Sequence, residues 1–74
     1  MKKRSLVLNG HRTSVALEPE FWAELERIAK QRDLSLSALV AGLDAVREAA
    51  NLASALRLMV LADLKRRTLE DPDQ

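Results

Sequence analysis

An Asn-Gly dipeptide near the start of the chain limits the possible folds more than any other feature of the sequence. Asn9 and Gly10 lie between two short runs of strand-forming residues, 4–8 and 11–17. A two-residue connection of this kind favours a type I′ turn, because both positions need a positive φ angle that asparagine and glycine tolerate. The sequence therefore predicts an N-terminal β-hairpin.

The predicted hairpin has two unlike faces, because successive side chains of a strand point to opposite sides. One face is mostly apolar and places these residues opposite each other: Leu8 and His11, Leu6 and Thr13, and Arg4 and Val15. The other face is basic and consists mainly of small side chains: Lys3, Ser5, Val7, Arg12, Ser14 and Ala16. We therefore expect the hairpin to be covered on one side only.

The N-terminal segment is basic, whereas the chain as a whole is almost neutral. Residues 1–17 contain four bases and no acid, while the formal net charge of the chain is +1. Such a segment suits an anionic partner, and it suits a solvated tail equally well. Two interpretations of residues 1–10 therefore stay open, a basic arm or an extra strand beside the strand at 11–17.

A first helix is predicted directly after the second strand. Pro19 suits the first turn of a helix, where its missing N–H group costs nothing. Phe21, Leu25 and Ile28 follow at helical spacing. We place this helix at residues 19–32.

Two further helices follow, each with its own capping residue. Ser35 is a good N-cap for a helix over residues 36–48, and Asn51 can cap a third helix over residues 52–67. The third helix has apolar residues on two faces, with Leu58 and Leu61 on the second. A helix that is apolar over so much of its surface must be covered on more than one side.

The chain is short enough to need a partner copy. Its 74 residues suit a single domain, which would bury only about 60% of its unfolded surface and be marginal alone. Without cysteine it can form neither a disulfide nor a thiolate metal site. Oligomerisation is the remaining common route to stability, so we expect a homodimer.

Enzymatic chemistry finds little support in the sequence. His11 is the single histidine and borders the predicted turn, so no acid–histidine system is available to activate a serine. Gly10 and Gly42 stand apart and form no phosphate-binding loop. We expect no catalytic residue, no metal site and no cofactor.

The sequence also predicts a cytoplasmic protein with no membrane contact. Its longest apolar stretch, residues 52–64, contains Arg57 and Asp63, and it is shorter than the roughly 20 apolar residues of a membrane span. The basic start is followed by too few apolar residues for a secretory signal.

The order of elements and several local motifs resemble a known family. The stretch 12–22 (RTSVALEPEFW), then Leu25 and Ile28, then the stretch 34–38 (LSLSA), is similar to the ribbon-helix-helix superfamily of bacterial DNA-binding proteins. The resemblance covers about residues 12–48. Phe21-Trp22 and residues 51–57 (NLASALR) resemble a subgroup of short proteins with a C-terminal helical extension.

The resemblance implies a mainly α-helical fold with a short N-terminal β element, in which two copies pair their strands into a ribbon across a two-fold axis. It implies that Arg12, Ser14 and Ala16 point into the DNA major groove. The side chains implied to point into the dimer core are Thr13, Val15 and Leu17.

The resemblance also implies where phosphates bind. Ser35 and Ser37, at the start of the second helix, would meet a DNA phosphate, where free N–H groups and the positive end of the helix dipole favour an anion. From the charge of the N-terminal segment itself, rather than from the resemblance, we expect Lys2, Lys3 and Arg4 to contact further phosphates.

An extra strand on each edge of the ribbon complicates this arrangement. Four strands at about 4.8 Å spacing span roughly 14 Å, whereas the major groove is about 12 Å wide. Either residues 1–9 leave the sheet as a basic arm, or the sheet contacts DNA in another way, or it makes no contact.

Two functions follow as hypotheses. The first is a dimeric transcriptional regulator that binds double-stranded DNA through a β-ribbon in the major groove. The alternative is a protein-interaction module, such as an antitoxin-like protein that binds a partner through its C-terminal helix.

Overall fold

The computed structural model describes residues 1–46 and 51–70 of the chain. An antiparallel two-stranded hairpin is followed by three helices: β1 (Lys2–Leu8), β2 (His11–Leu17), α1 (Pro19–Gln31), α2 (Leu36–Val46) and α3 (Leu52–Glu70). This is the predicted fold class, a mainly α-helical protein with a short N-terminal β element and a third, C-terminal helix.

The boundaries of the helices differ from the predicted ones by a few residues. The first helix ends at residue 31, one residue earlier, and the third extends to residue 70, three residues later. The last two residues predicted for the second helix, 47 and 48, lie outside the described part of the chain.

The hairpin has the predicted turn and the predicted register. Asn9 and Gly10 have φ angles of 53° and 83°, as a type I′ turn requires. From this turn onward each residue of β1 lies opposite one of β2, beginning with Leu8 and His11. Of the two interpretations of residues 1–10, the structure therefore has the extra strand.

The core lies between one face of the hairpin and the three helices. The alternation of the two strands buries these residues: Leu6, Leu8, Val15 and Leu17. The helices contribute further buried side chains: Trp22, Leu25 and Ile28 from α1, Leu39 and Val40 from α2, and Leu56 and Val60 from α3. The hairpin side that faces this core is its inner face, and the opposite side is its outer face.

A tight break separates α1 from α2. Asp33 adopts a left-handed conformation with φ 57°, and the N–H of Leu34 donates to the carbonyl oxygen of Ala29 at 2.8 Å. The next helix begins at its predicted cap, because the N–H of Ala38 donates to Ser35 Oγ at 3.0 Å. The break turns the chain so that α2 can pack against β1.

Two ionic contacts hold α3 against the rest of the protomer. In the first, the Arg57 guanidinium donates to both carboxylate oxygens of Glu18, at 3.0 and 3.2 Å. The Arg57 side chain also lies 5.8 Å from the centre of the Phe21 ring. A backbone hydrogen bond and the Arg57 hydrogen bond lower the pKa of Glu18. The start of α3 is thereby tied to the junction of β2 and α1.

The second contact is a buried carboxylate on α3. Asp63 is 5% exposed and accepts hydrogen bonds from Arg27 Nη2 at 2.7 Å and from Arg66 Nη2 at 3.0 Å. The hydrogen bond from Arg27 lowers the pKa of Asp63, in opposition to burial, which raises it. This pairing compensates the cost of placing a charge in the interior.

One apolar side of α3 faces the core of the protomer, and the other is exposed. Leu56 and Val60 are buried, whereas Leu58 and Leu61 are 61% and 48% exposed. None of the described helices is long and apolar enough to cross a membrane.

Candidate nucleic-acid interface

The outer face of the hairpin is an open and basic surface. Six side chains form it, and all six are exposed: Lys3, Ser5 and Val7 from β1, and Arg12, Ser14 and Ala16 from β2. None of these six is acidic, so the face is positively charged.

The strand register arranges this face in three rows. The cross-strand neighbours are Lys3 with Ala16, Ser5 with Ser14, and Val7 with Arg12. The two serine hydroxyl oxygens of the central row lie 3.4 Å apart. The two cations therefore lie at opposite ends of the face, Lys3 on β1 and Arg12 on β2.

β2 has one edge without a strand beside it. In a hairpin closed by a two-residue turn, the residues flanking the turn are hydrogen-bonded, and hydrogen-bonded pairs alternate with non-bonded pairs along the ladder. Counted from the pair Leu8–His11, the non-bonded positions of β2 are Arg12, Ser14 and Ala16. The N–H and C=O groups of these three residues therefore point away from β1, toward the free edge.

A shallow groove runs along this free edge. It has a volume of about 650 Å³ and lies between the edge residues of β2 and the first turn of α3. Its lining consists of residues 13–16 on one side and Asn51, Leu52 and Ala53 on the other. Asn51 caps α3, because its Oδ1 accepts a hydrogen bond from the N–H of Ser54 at 3.2 Å.

The three N-terminal bases are placed differently. Lys3 lies on the outer face, whereas Lys2 and Arg4 have the opposite strand parity. The Arg4 guanidinium donates to Glu26 at 3.1 Å and lies 5.0 Å from the centre of the Trp22 ring. The Trp22 indole N–H donates to the carbonyl oxygen of Lys2 at 2.8 Å, so these contacts fix β1 to α1.

The remaining predicted site residues lie at the start of α2. Ser35 is exposed and caps the helix, and Ser37 is half-buried in its first turn. The structure thus brings Lys3, Arg12, Ser14 and Ala16 together on one face and places the two serines on a separate element.

The sequence pattern predicts Ser5 and Val7 on the basic face but indicates no functional role for them. The alternation of residues along β1 puts both side chains on the outer face, but this argument holds only if residues 2–8 form a strand. Within residues 1–46 and 51–70, no group of three or more histidine, cysteine, aspartate or glutamate residues could hold a metal ion.

A family model of the ribbon-helix-helix domain matches residues 1–64, which include β1, β2, α1, α2 and most of α3. No curated protein and no solved structure matches the chain.

Proposed function

Since the chain belongs to the ribbon-helix-helix domain family, we propose that it is a dimeric, cytoplasmic transcriptional regulator that binds double-stranded DNA. Domains of this family are typically DNA-binding modules of such regulators. The observation that carries the proposal is the exposed outer face of the hairpin, on which Lys3 and Arg12 are accompanied by no acid. A face of this charge suits the phosphate backbone of DNA.

The dimer would form through the free edge of β2. Unpaired backbone N–H and C=O groups along a strand edge favour the addition of another strand. A second copy of β2, antiparallel to the first, satisfies these groups and lies beside the groove at the start of α3. Full overlap of the two strands places the two-fold axis at Ser14, the middle residue of His11–Leu17.

In this dimer, the outer face of the two β2 strands lies over the major groove. Arg12, Ser14 and Ala16 are then the β2 residues on the side of the sheet that faces the DNA. Lys3 contacts a phosphate, because it is the N-terminal base whose side chain lies on the outer face. Ser35 and Ser37 provide a further phosphate contact at the start of α2, where free N–H groups and the helix dipole favour an anion.

The proposal is tested by measuring mass and DNA binding together. Light scattering at micromolar concentration should give about twice the 8.3 kDa mass of the chain. Fluorescence anisotropy with a random duplex should show binding that weakens steeply as salt rises, because phosphate contacts release counterions. A folded monomer would contradict the dimer, and a dimer without DNA affinity at low salt would contradict the DNA-binding role.

A charge introduced at the start of α2 tests the second phosphate contact. We expect Ser35→Asp to keep the N-cap, because aspartate caps as well as serine. The added carboxylate would repel a phosphate, so affinity for every duplex should fall while thermal stability holds. Ser35→Asn is the control, since it caps without charge and should bind as the unaltered chain does. Equal binding by both variants would limit Ser35 to a structural role.

A protein-binding role is the second candidate, favoured by the exposed side of α3. Leu58 and Leu61 lie on it with about half or more of their surface open to solvent. If this side binds another protein, replacing both leucines by serine should leave the mass of the dimer and its DNA affinity unchanged. Loss of either property would assign the leucines to the assembly itself.

A further inference from the structure

The width of the hairpin decides how it can meet DNA, provided that the proposed dimer and its DNA-binding role hold. Pairing two hairpins through β2 gives a sheet in the order β1, β2, β2 of the second copy, β1 of the second copy. At about 4.8 Å spacing, the two outer backbones are roughly 14 Å apart. The major groove is about 12 Å wide, so this sheet cannot enter it as a two-stranded ribbon can.

We propose that the sheet lies across the rim of the groove, with the two β1 strands above the phosphate backbones and Arg12 alone reaching the bases from this face. The inner strands lie within about 2.4 Å of the two-fold axis and the outer ones about 7 Å from it. The groove walls are about 6 Å from its middle. Each β1 strand is therefore above one wall of the groove.

The side chains of the outer face fit this placement. Lys3 projects from β1, where a phosphate would lie. Its ammonium group, at the end of a flexible side chain, suits a point contact with phosphate. Arg12 projects from β2, above the open groove, and carries a planar guanidinium that can bond guanine through two donors. On the outer face, Arg12 of each β2 strand and Lys3 of each β1 strand thus lie over different parts of the DNA.

The side chains at the centre of the face are too short to reach the bases. With the two-fold axis at Ser14, the central row contains Ser5 and Ser14 of each copy, and these hydroxyl groups already lie close to each other. The groove is about 8.5 Å deep, so serine and alanine side chains on a backbone held at its rim do not touch base edges. Ser14 and Ala16 therefore carry no sequence preference.

The experiment compares single variants of the full chain in two measurements. Sequencing of duplexes selected from a random pool gives the base preference at each position. Titration of one selected duplex against salt gives the log–log slope of the binding constant. Arg12→Ala and Ser14→Ala test base recognition. Lys3→Gln tests phosphate contact, and Lys2→Gln is its control, because it removes the same charge from the neighbouring residue.

We expect Arg12→Ala to remove a preference of roughly 5- to 150-fold at one symmetric pair of positions, the discrimination of a bidentate arginine contact. Ser14→Ala should leave every preference unchanged. Lys3→Gln should keep the preferences but reduce the salt slope by about 1.8, or about 0.9 for each of two phosphate contacts. Lys2→Gln should leave the slope unchanged, because its side chain has the parity of the inner face.

Two results would overturn this placement while leaving the DNA-binding function intact. If Ser14→Ala changes the preferences as much as Arg12→Ala, the backbone enters the groove. If Lys3→Gln and Lys2→Gln reduce the slope equally, the N-terminal cations act as a diffuse charge and β1 is not above the phosphates. Failure of the unaltered chain to bind any duplex at low salt would instead contradict the proposed function itself.

Discussion

Replacing Asp63 by asparagine should destabilise the protein by about 2 kcal/mol, within the range for losing hydrogen bonds to a charged group. Asp63 is almost fully buried on α3, and its two oxygens accept from Arg27 and Arg66. Asparagine has nearly the same shape but no charge, so it leaves the Arg27 guanidinium, 24% exposed, without its buried carboxylate partner. Urea unfolding at a fixed protein concentration measures the loss.

Glu24→Gln is the matched control for this variant. Glu24 bonds the same arginine at 2.8 Å, but its side chain is 35% exposed. An ion pair open to solvent contributes about 1 kcal/mol or less. Equal losses from the two variants would show that burial of Asp63 adds nothing to its pairing with Arg27.

The same carboxylate predicts how stability depends on pH. The hydrogen bond from Arg27 lowers the pKa of Asp63 in the folded protein, while the pKa of an aspartate in the unfolded chain is about 3.9. The folded state therefore favours the ionised form of Asp63, and the contribution of this carboxylate to stability is fully present above about pH 5. It is lost as the pH falls through the lowered pKa. Asp63→Asn should unfold with a weaker dependence on acid than the unaltered chain, and an identical dependence would contradict this role.

The hairpin could be predicted from sequence because its determinants are local. Asn9 and Gly10 specify the turn, and a two-residue turn then fixes the register of every pair. Whether residues 1–10 would form a strand or a free arm remained open, because the contacts that hold β1 are distant in sequence. The Trp22 indole bonds the backbone of Lys2, twenty residues away.

The placement of α3 could not be predicted for a related reason. Its two ionic contacts join Glu18 to Arg57 and Arg27 to Asp63, over separations of 39 and 36 residues. No spacing rule connects charges so far apart in the chain, and each looks like an ordinary surface residue in the sequence. The alternation of strand residues predicted the outer face and put Arg4 on the opposite side, but it did not predict that Arg4 would contact Glu26 and Trp22.

A proline at the centre of β2 should abolish the proposed dimer and, with it, DNA binding. The N–H of Ser14 points toward the free edge of β2, so Ser14→Pro removes no hydrogen bond of the hairpin. Proline is tolerated in an edge strand when its nitrogen faces solvent. In the dimer, however, the two Ser14 residues face each other across the two-fold axis, and proline removes both hydrogen bonds of that central pair.

The expected result is a species of about 8.3 kDa in light scattering at micromolar concentration, with a much lower melting temperature. A protomer this small is marginal alone, and loss of the second copy removes the stabilisation that association provides. Affinity for a selected duplex should fall by about 100-fold or more, because one protomer can engage only half of the site.

Ser14→Ala separates the backbone effect from that of the side chain. It removes the hydroxyl group next to Ser5 but keeps the N–H group that would bond the second copy. We expect this variant to have the mass, melting temperature and DNA affinity of the unaltered chain. If Ser14→Pro also keeps all three, the free edge of β2 is not the dimer interface, and the second copy must associate through another surface. The exposed leucines of α3 would then be the first surface to alter, because they form an open apolar side on an element already tied to the core.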